Sequence, residues 1–203
     1  MRIRITFVKQ GALRYTGHLD LHKLWERAAR RAELPLAYSQ GFHPQPKMNM
    51  AAALPLGFSS RCEIMDMKLE RDIPLDDLPT RLNSTLPSGL QVVGVEQVDE
   101  RAPALQTQVA AAEYEVTLTE PVDGSGLKRR IDSVIASVSI PRERRGKTYD
   151  LRPLIESLEL LHNDKILMQL TAREGATGRP EEVLDVLGIA FEETRIERTR
   201  LIF

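Results

Sequence analysis

The residues best able to do chemistry lie in one block, Gly17 to Lys47, where two histidines, a row of cations and a stiffened aromatic loop follow one another. Lys23, Arg27, Arg30 and Arg31 fall at i, i+4, i+7 and i+8 of a helical pattern, roughly one stripe, which can track the phosphates of RNA or of a nucleotide. Glu26 stands four residues before Arg30, so the same residues also suit an ordinary solvated face. In the segment Tyr38-Ser39-Gln40-Gly41-Phe42-His43-Pro44-Gln45-Pro46-Lys47, Gly41 permits a tight backbone turn, and the two prolines stiffen the end of the segment into an extended path. Tyr38, Phe42 and His43 can stack or hydrogen-bond there, and Lys47 adds a cation. That combination suits recognition of a base, a cofactor or a peptide; the alternative is a structural loop with Phe42 plugged into the core.

His18 and His22 have the i,i+4 spacing that puts two imidazoles on one helix face, as in zinc enzymes. Leu19 occupies the place of the glutamate in an HExxH motif, Asp20 lies two residues from each histidine, and a third ligand has to come from as far as His43. No metal site is therefore expected, and His18, beside Gly17, is expected to cap the helix or to contact a ligand. A catalytic alternative is a metal-independent endoribonuclease with His18 or His43 as general base and Tyr38 or Lys47 stabilising charge. A second basic run, Arg142-Glu143-Arg144-Arg145-Gly146-Lys147, is followed by Tyr149-Asp150-Leu151-Arg152-Pro153. Arg144, Arg145, Lys147 and Arg152 form either a secondary basic patch at a hairpin tip or a solvated turn.

Several chemistries are excluded. The phosphate loops GxGxxG and GxxxxGK[ST] and the nucleophile elbow GxSxG are all absent. Cys62 is the single cysteine, so there is no internal disulfide and no thiolate cluster able to hold zinc or an iron–sulfur centre; no cofactor is expected. No run approaches the roughly 20 apolar residues that span a bilayer, and the first residues alternate charge and bulk as a strand does. Those two features predict a cytoplasmic protein with no membrane partner. The net charge of −1 argues against indiscriminate polyanion binding, but residues 1–50 carry nine Lys/Arg against three acidic residues, and residues 51–100 carry four against nine.

Elements that position the block follow from periodicity. Ile3, Ile5 and Phe7 alternate in a strand over 2–9, and Leu21, Leu24, Trp25, Ala28 and Ala32 keep helical spacing over 18–32, with Pro35 just past the end. A broken strand over 48–54, a strand over 62–70, a helix over 75–86 and a Val-rich strand over 90–98 complete the order β-α-β-β-α-β, that of a ferredoxin-like fold. Residues 99–108 are polar, carry Pro103 and read as a linker. The order then recurs: strand 112–119, helix 126–138, strand material between 139 and 161, strand 165–172, helix 180–187 and strand 191–203. The expectation is an α+β chain of two tandem ferredoxin-like halves with antiparallel sheets, 1–100 and 109–203, the first carrying the basic helix and the loop.

Taken together, Thr16-Gly17-His18-Leu19-Asp20, Arg27, Arg30-Arg31-Ala32, Leu34-Pro35, Tyr38-Ser39-Gln40-Gly41-Phe42-His43-Pro44, Lys47 and Leu54-Pro55-Leu56-Gly57 resemble the radical SAM-linked protein family. Its members are bacterial and encoded beside or fused to a radical SAM protein. Tyr149-Asp150-Leu151-Arg152-Pro153, Gly178-Arg179-Pro180-Glu181-Glu182-Val183-Leu184 and Arg198-Thr199 resemble it too, so the likeness runs nearly end to end. The resemblance implies a radical SAM protein as partner. It implies no radical chemistry in this chain, which lacks the CxxxCxxC cluster motif. The resulting expectation is an accessory protein without catalysis of its own, binding RNA or another phosphate-bearing substrate through His18, Asp20, Arg27, Arg30, Arg31, the Tyr38–His43 segment and Lys47. A pure protein–protein assembly module is the remaining alternative.

Overall fold

Ile3, Ile5 and Phe7 are buried on one side of strand β1 (Arg2–Lys9), the alternation that a half-covered strand requires. The computed structural model describes residues 1–144, 146–162 and 164–203, and His162 by its backbone alone. The chain is mixed α/β and divides into two units, Met1–Gln108 and Val109–Phe203.

In the first unit β1 is followed by helix α1 (His18–Arg31), strands β2 (Met48–Met50) and β3 (Ser59–Lys68), helix α2 (Leu78–Thr85) and strand β4 (Leu90–Val98). β1 pairs antiparallel with both β3 and β4, and β2 pairs antiparallel with β3, so the strands run in the order β4-β1-β3-β2. One sheet face supplies Ile3, Ile5, Phe7, Met65 and Met67 to a core closed by Leu21 and Trp25 of α1 and Leu78 and Leu82 of α2. Trp25 packs edge-on against Phe7, with ring centroids 4.8 Å apart. On strand positions of opposite parity, Arg2 and Arg4 close on Asp66, the cross-strand partner of Arg4.

Only Met48–Met50 of the expected 48–54 strand pairs; Ala51 and Leu54 are buried outside it. The stretch read as a linker is held by tertiary contacts. Arg2 donates to the carbonyls of Ala102 and Pro103 at 2.7 and 3.0 Å, and Leu105 of the short helix α3 (Leu105–Gln108) is fully buried.

The second unit is also built of antiparallel strands and helices. Strand β5 (Ala111–Leu118) leads to helix α4 (Gly124–Ala136), whose start is fixed by Asp123, its carboxylate accepting from the amides of Ser125 and Gly126 at 3.1 Å each. A hairpin of β6 (Pro141–Arg144) and β7 (Lys147–Asp150) comes next, then β8 (Ile155–His162), β9 (Lys165–Arg173) and the two-residue β10 (Ala176–Thr177). Helix α5 (Pro180–Val186) and strand β11 (Thr194–Ile202) close the unit. Antiparallel pairings of β5 with β9 and β11, and of β8 with β9, give the order β11-β5-β9-β8.

Candidate functional site

Helix α1 forms because its apolar residues recur every three or four positions, burying Leu21, Trp25, Ala28 and Ala29 while the charged residues stay outside. Its N-cap is Gly17, without a side-chain cap bond, so His18 is the first helical residue and does not act as the cap. Asp20 sits in the first turn and Arg30 and Arg31 in the last, each on the side that the helix dipole favours. At the far end Leu34 donates to the carbonyl of Ala29, and Glu33 to that of Arg30, both at 3.0 Å. This Schellman ending places Glu33 at φ 55, a left-handed position that normally takes glycine.

The four cations do not form one continuous free stripe. Arg30 bonds the phenol of Tyr38 at 3.0 Å and pairs with Glu26 at 2.8 Å, tying the helix to the loop beyond it. Arg31 turns toward α2 and donates to the carbonyl of Thr85 at 3.0 Å. Lys23 and Arg27 remain exposed, Lys23 at 3.8 Å from Asp20.

The loop is a pinned tongue. Tyr38 and Pro46 form an antiparallel bridge, the amide of Ser39 donates to the carbonyl of Gln45 at 2.8 Å, and that of Gln45 donates back to the Ser39 hydroxyl at 2.9 Å. The amide of Lys47 donates to the carbonyl of Ala37 at 2.8 Å at the base of the tongue. Gly41, at φ 126, makes the reversal in a conformation that a side chain resists. Beyond it Phe42 is 101% exposed, so it does not plug the core. Gln40, His43 and Pro44 are exposed beside it.

Between helix and tongue lies a groove of about 340 Å³ lined by His18, Leu19, His22, Lys23 and Glu26 from α1 and by Gln45, Pro46 and Met48. The imidazoles of His18 and His22 meet edge to face with centroids 5.0 Å apart. Burial, with a smaller contribution from the nearby His18, holds the His22 imidazole below its ordinary pKa and so favours its neutral form. His43 does not line this groove, so the two histidines weighed as general base are not brought together in it. His22, Glu26 and Gln45 line the groove although the sequence alone leaves them out of the expected binding set, with His22 weighed only as a metal ligand and Glu26 only as a partner of Arg30. The i,i+4 spacing from His18 to His22, and again from His22 to Glu26, was the available signal for the first two. Among the described residues no group of three or more His, Cys, Asp or Glu is placed to hold a metal ion.

In the second unit the expected basic patch is largely occupied. Arg144 is held by Glu182 at 2.6 and 2.7 Å and bonds the Tyr149 phenol at 3.1 Å, while Arg142 pairs with Asp185. Arg152 points inward, its guanidinium satisfying the carbonyl of Ile135 near the end of α4 and that of Ile155. Lys147 is exposed, and Arg145 lies outside the described residues. No helix among the described residues is long and apolar enough to cross a membrane.

Comparison with curated protein sequences finds no match. Among solved structures the chain is similar to a chain in the crystal structure of a Cbf5-Nop10-Gar1 complex, at 8% identity and a TM-score of 0.47, over 98% of this chain and 48% of that one. A family profile described as "Uncharacterized protein conserved in bacteria (DUF2344)" matches residues 2–180. That match spans most of the sequence, and the chain belongs to the DUF2344 family of bacterial proteins.

Proposed function

We propose that this chain is a non-catalytic accessory protein that binds single-stranded RNA, serving a radical SAM enzyme, and that each of its two units is a ferredoxin-like fold. The single observation that carries the binding reading is Phe42, fully exposed on a tongue whose backbone is hydrogen-bonded on both sides. A large apolar ring held in water by a rigid support gains nothing for folding. It suits stacking on an unpaired base, and every base offers a π-face. Lys23 and Arg27 on helix α1 and Lys47 at the base of the tongue are exposed and available to meet phosphates. The link to a radical SAM enzyme rests on the resemblance of the Gly17–Pro44 motifs. The strand orders β4-β1-β3-β2 and β11-β5-β9-β8 support the ferredoxin-like reading, the first with β-α-β-β-α-β connectivity and the second with that connectivity once the β6–β7 hairpin and β10 are set aside as insertions.

The test is titration of a fluorescently labelled single-stranded RNA with purified protein at several salt concentrations. Binding is expected to weaken linearly in log salt. The double variant Lys23→Ala/Arg27→Ala is expected to reduce the slope by about 1.4, at roughly 0.7 for each phosphate no longer neutralised. Affinity indifferent to salt, or to the double variant, contradicts the proposal.

A further inference from the structure

A second cavity in the first unit, about 230 Å³, is lined by Arg2, Lys47, Asn49, Asp66, Lys68, Glu100, Ala102 and Ala104. It lies where Lys47 ends the tongue. The amide of Lys68 donates to the carbonyl of Lys47 at 2.9 Å, which makes the two residues cross-strand neighbours, and Asn49 is the cross-strand partner of Asp66. Like charges on adjacent strand positions destabilise a sheet. Among the described residues neither lysine is in a salt bridge, and the Glu100 carboxylate, held low in pKa first by its hydrogen bond to the N-terminal ammonium, feels Lys68 only as a lesser influence.

The buried carboxylate of the lining, Asp66, cannot supply an ion-pair partner. Asp66 is taken up by Arg2 at 2.5 and 3.0 Å and by Arg4 at 2.8 and 3.1 Å. Arg2 also donates to the carbonyls of Ala102 and Pro103, so this floor is fixed and self-satisfied. The remaining polar side chains of the lining are Lys47, Lys68, Asn49 and Glu100, the last paired with the N-terminal ammonium at 2.8 Å. The cavity has room for roughly seven waters at the liquid share of about 30 Å³ each, enough for a hydrated phosphate group.

We infer that Lys47, Lys68 and Asn49 form a phosphate-binding subsite for the RNA strand whose base stacks on Phe42. The inference rests on the RNA reading above. Lys47 stands at the base of the tongue and also lines the cavity, which joins the two surfaces. The two lysines are kept adjacent because an anion bridges them when the strand is bound.

Two measurements on wild type and Lys68→Gln test it. The first is thermal unfolding in sodium phosphate against sodium chloride at equal ionic strength and pH, since a ligand that binds only the folded state raises its Tm. Wild type is expected to melt higher in phosphate, and Lys68→Gln to lose that rise. In chloride the variant should melt no lower than wild type, because a like-charge neighbour has gone. No phosphate-specific rise in wild type, or a rise that persists in Lys68→Gln, overturns the subsite. The second measurement is the salt slope of RNA binding, which Lys68→Gln should reduce by about 0.7. An unchanged slope beside a lost phosphate shift overturns the assignment to the RNA strand and leaves a free-anion site. An unchanged slope together with an unchanged phosphate response in Lys68→Gln, while Phe42→Ala weakens RNA binding, overturns the subsite and leaves the RNA reading standing.

Discussion

Replacing Asp66 by alanine is the perturbation whose cost can be worked most directly from this structure. The Asp66 side chain is 4% exposed and its two oxygens receive four N–H donors from Arg2 and Arg4, whose side chains are 7% and 17% exposed. Two guanidinium groups so placed were desolvated on folding, and the carboxylate is what compensates them. Removing one partner of a buried ion pair costs about 3–5 kcal/mol, because charge is left without a counter-charge. For a domain whose whole stability is typically about 5–15 kcal/mol, the first unit loses roughly a fifth or more. With a urea dependence of about 2 kcal/mol per molar, the unfolding midpoint should fall by roughly 2 M. The assay is urea unfolding followed by tryptophan fluorescence. Trp25 is the single tryptophan and is fully buried against Phe7, so the signal reports this unit. The apolar triple variant Arg2→Met/Arg4→Met/Asp66→Leu should recover most of the loss, since it leaves no charge behind. A loss below about 1 kcal/mol for Asp66→Ala refutes the reasoning and puts the triad among pairs that solvent screens.

Helix α1 supplies two further expected outcomes. Glu33→Gly should stabilise the first unit by about 1 kcal/mol, read as a higher urea midpoint, because glycine takes the left-handed C′ position without the Cβ penalty. The folded-state pKa of His22 lies below its ordinary value of about 6.5, so the unfolded chain binds more protons between those two values. That contribution is present in full above about pH 6.5 and is lost as the pH falls toward the folded pKa. Urea midpoints measured from pH 7.5 down to 5 should therefore drop more steeply in wild type than in His22→Gln.

Much of this architecture was legible because it depends on local periodicity. The alternation of Ile3, Ile5 and Phe7 and the helical spacing of Leu21, Trp25 and Ala28 each name a buried face without knowledge of what covers it. What was not legible depends on distant partners. Residues 99–108 look like a linker by composition, and it takes the guanidinium of Arg2, the pairing of Glu100 with the N-terminal ammonium and the burial of Leu105 to make them part of the first unit. Glu33 hides the helix ending, since the usual signal there is glycine. Arg152 reads as one more cation of a basic run, whereas its donors are spent on backbone carbonyls. At the site, the tongue's composition announced a rigid aromatic loop but left open whether Phe42 was plug or platform. That choice is made by the Gly41 reversal and the Ser39–Gln45 bonds, which aim the ring outward.

The central claim, that an outward-held Phe42 serves as a stacking surface for RNA, is tested most directly by the single variant Phe42→Ala. Because the ring is fully exposed, its removal should leave the Tm unchanged. Affinity for a labelled single-stranded RNA should weaken by about 5- to 150-fold, the equivalent of about 1–3 kcal/mol per stacked base. Equal affinities for wild type and Phe42→Ala, or no RNA binding by either protein at low salt, would contradict it.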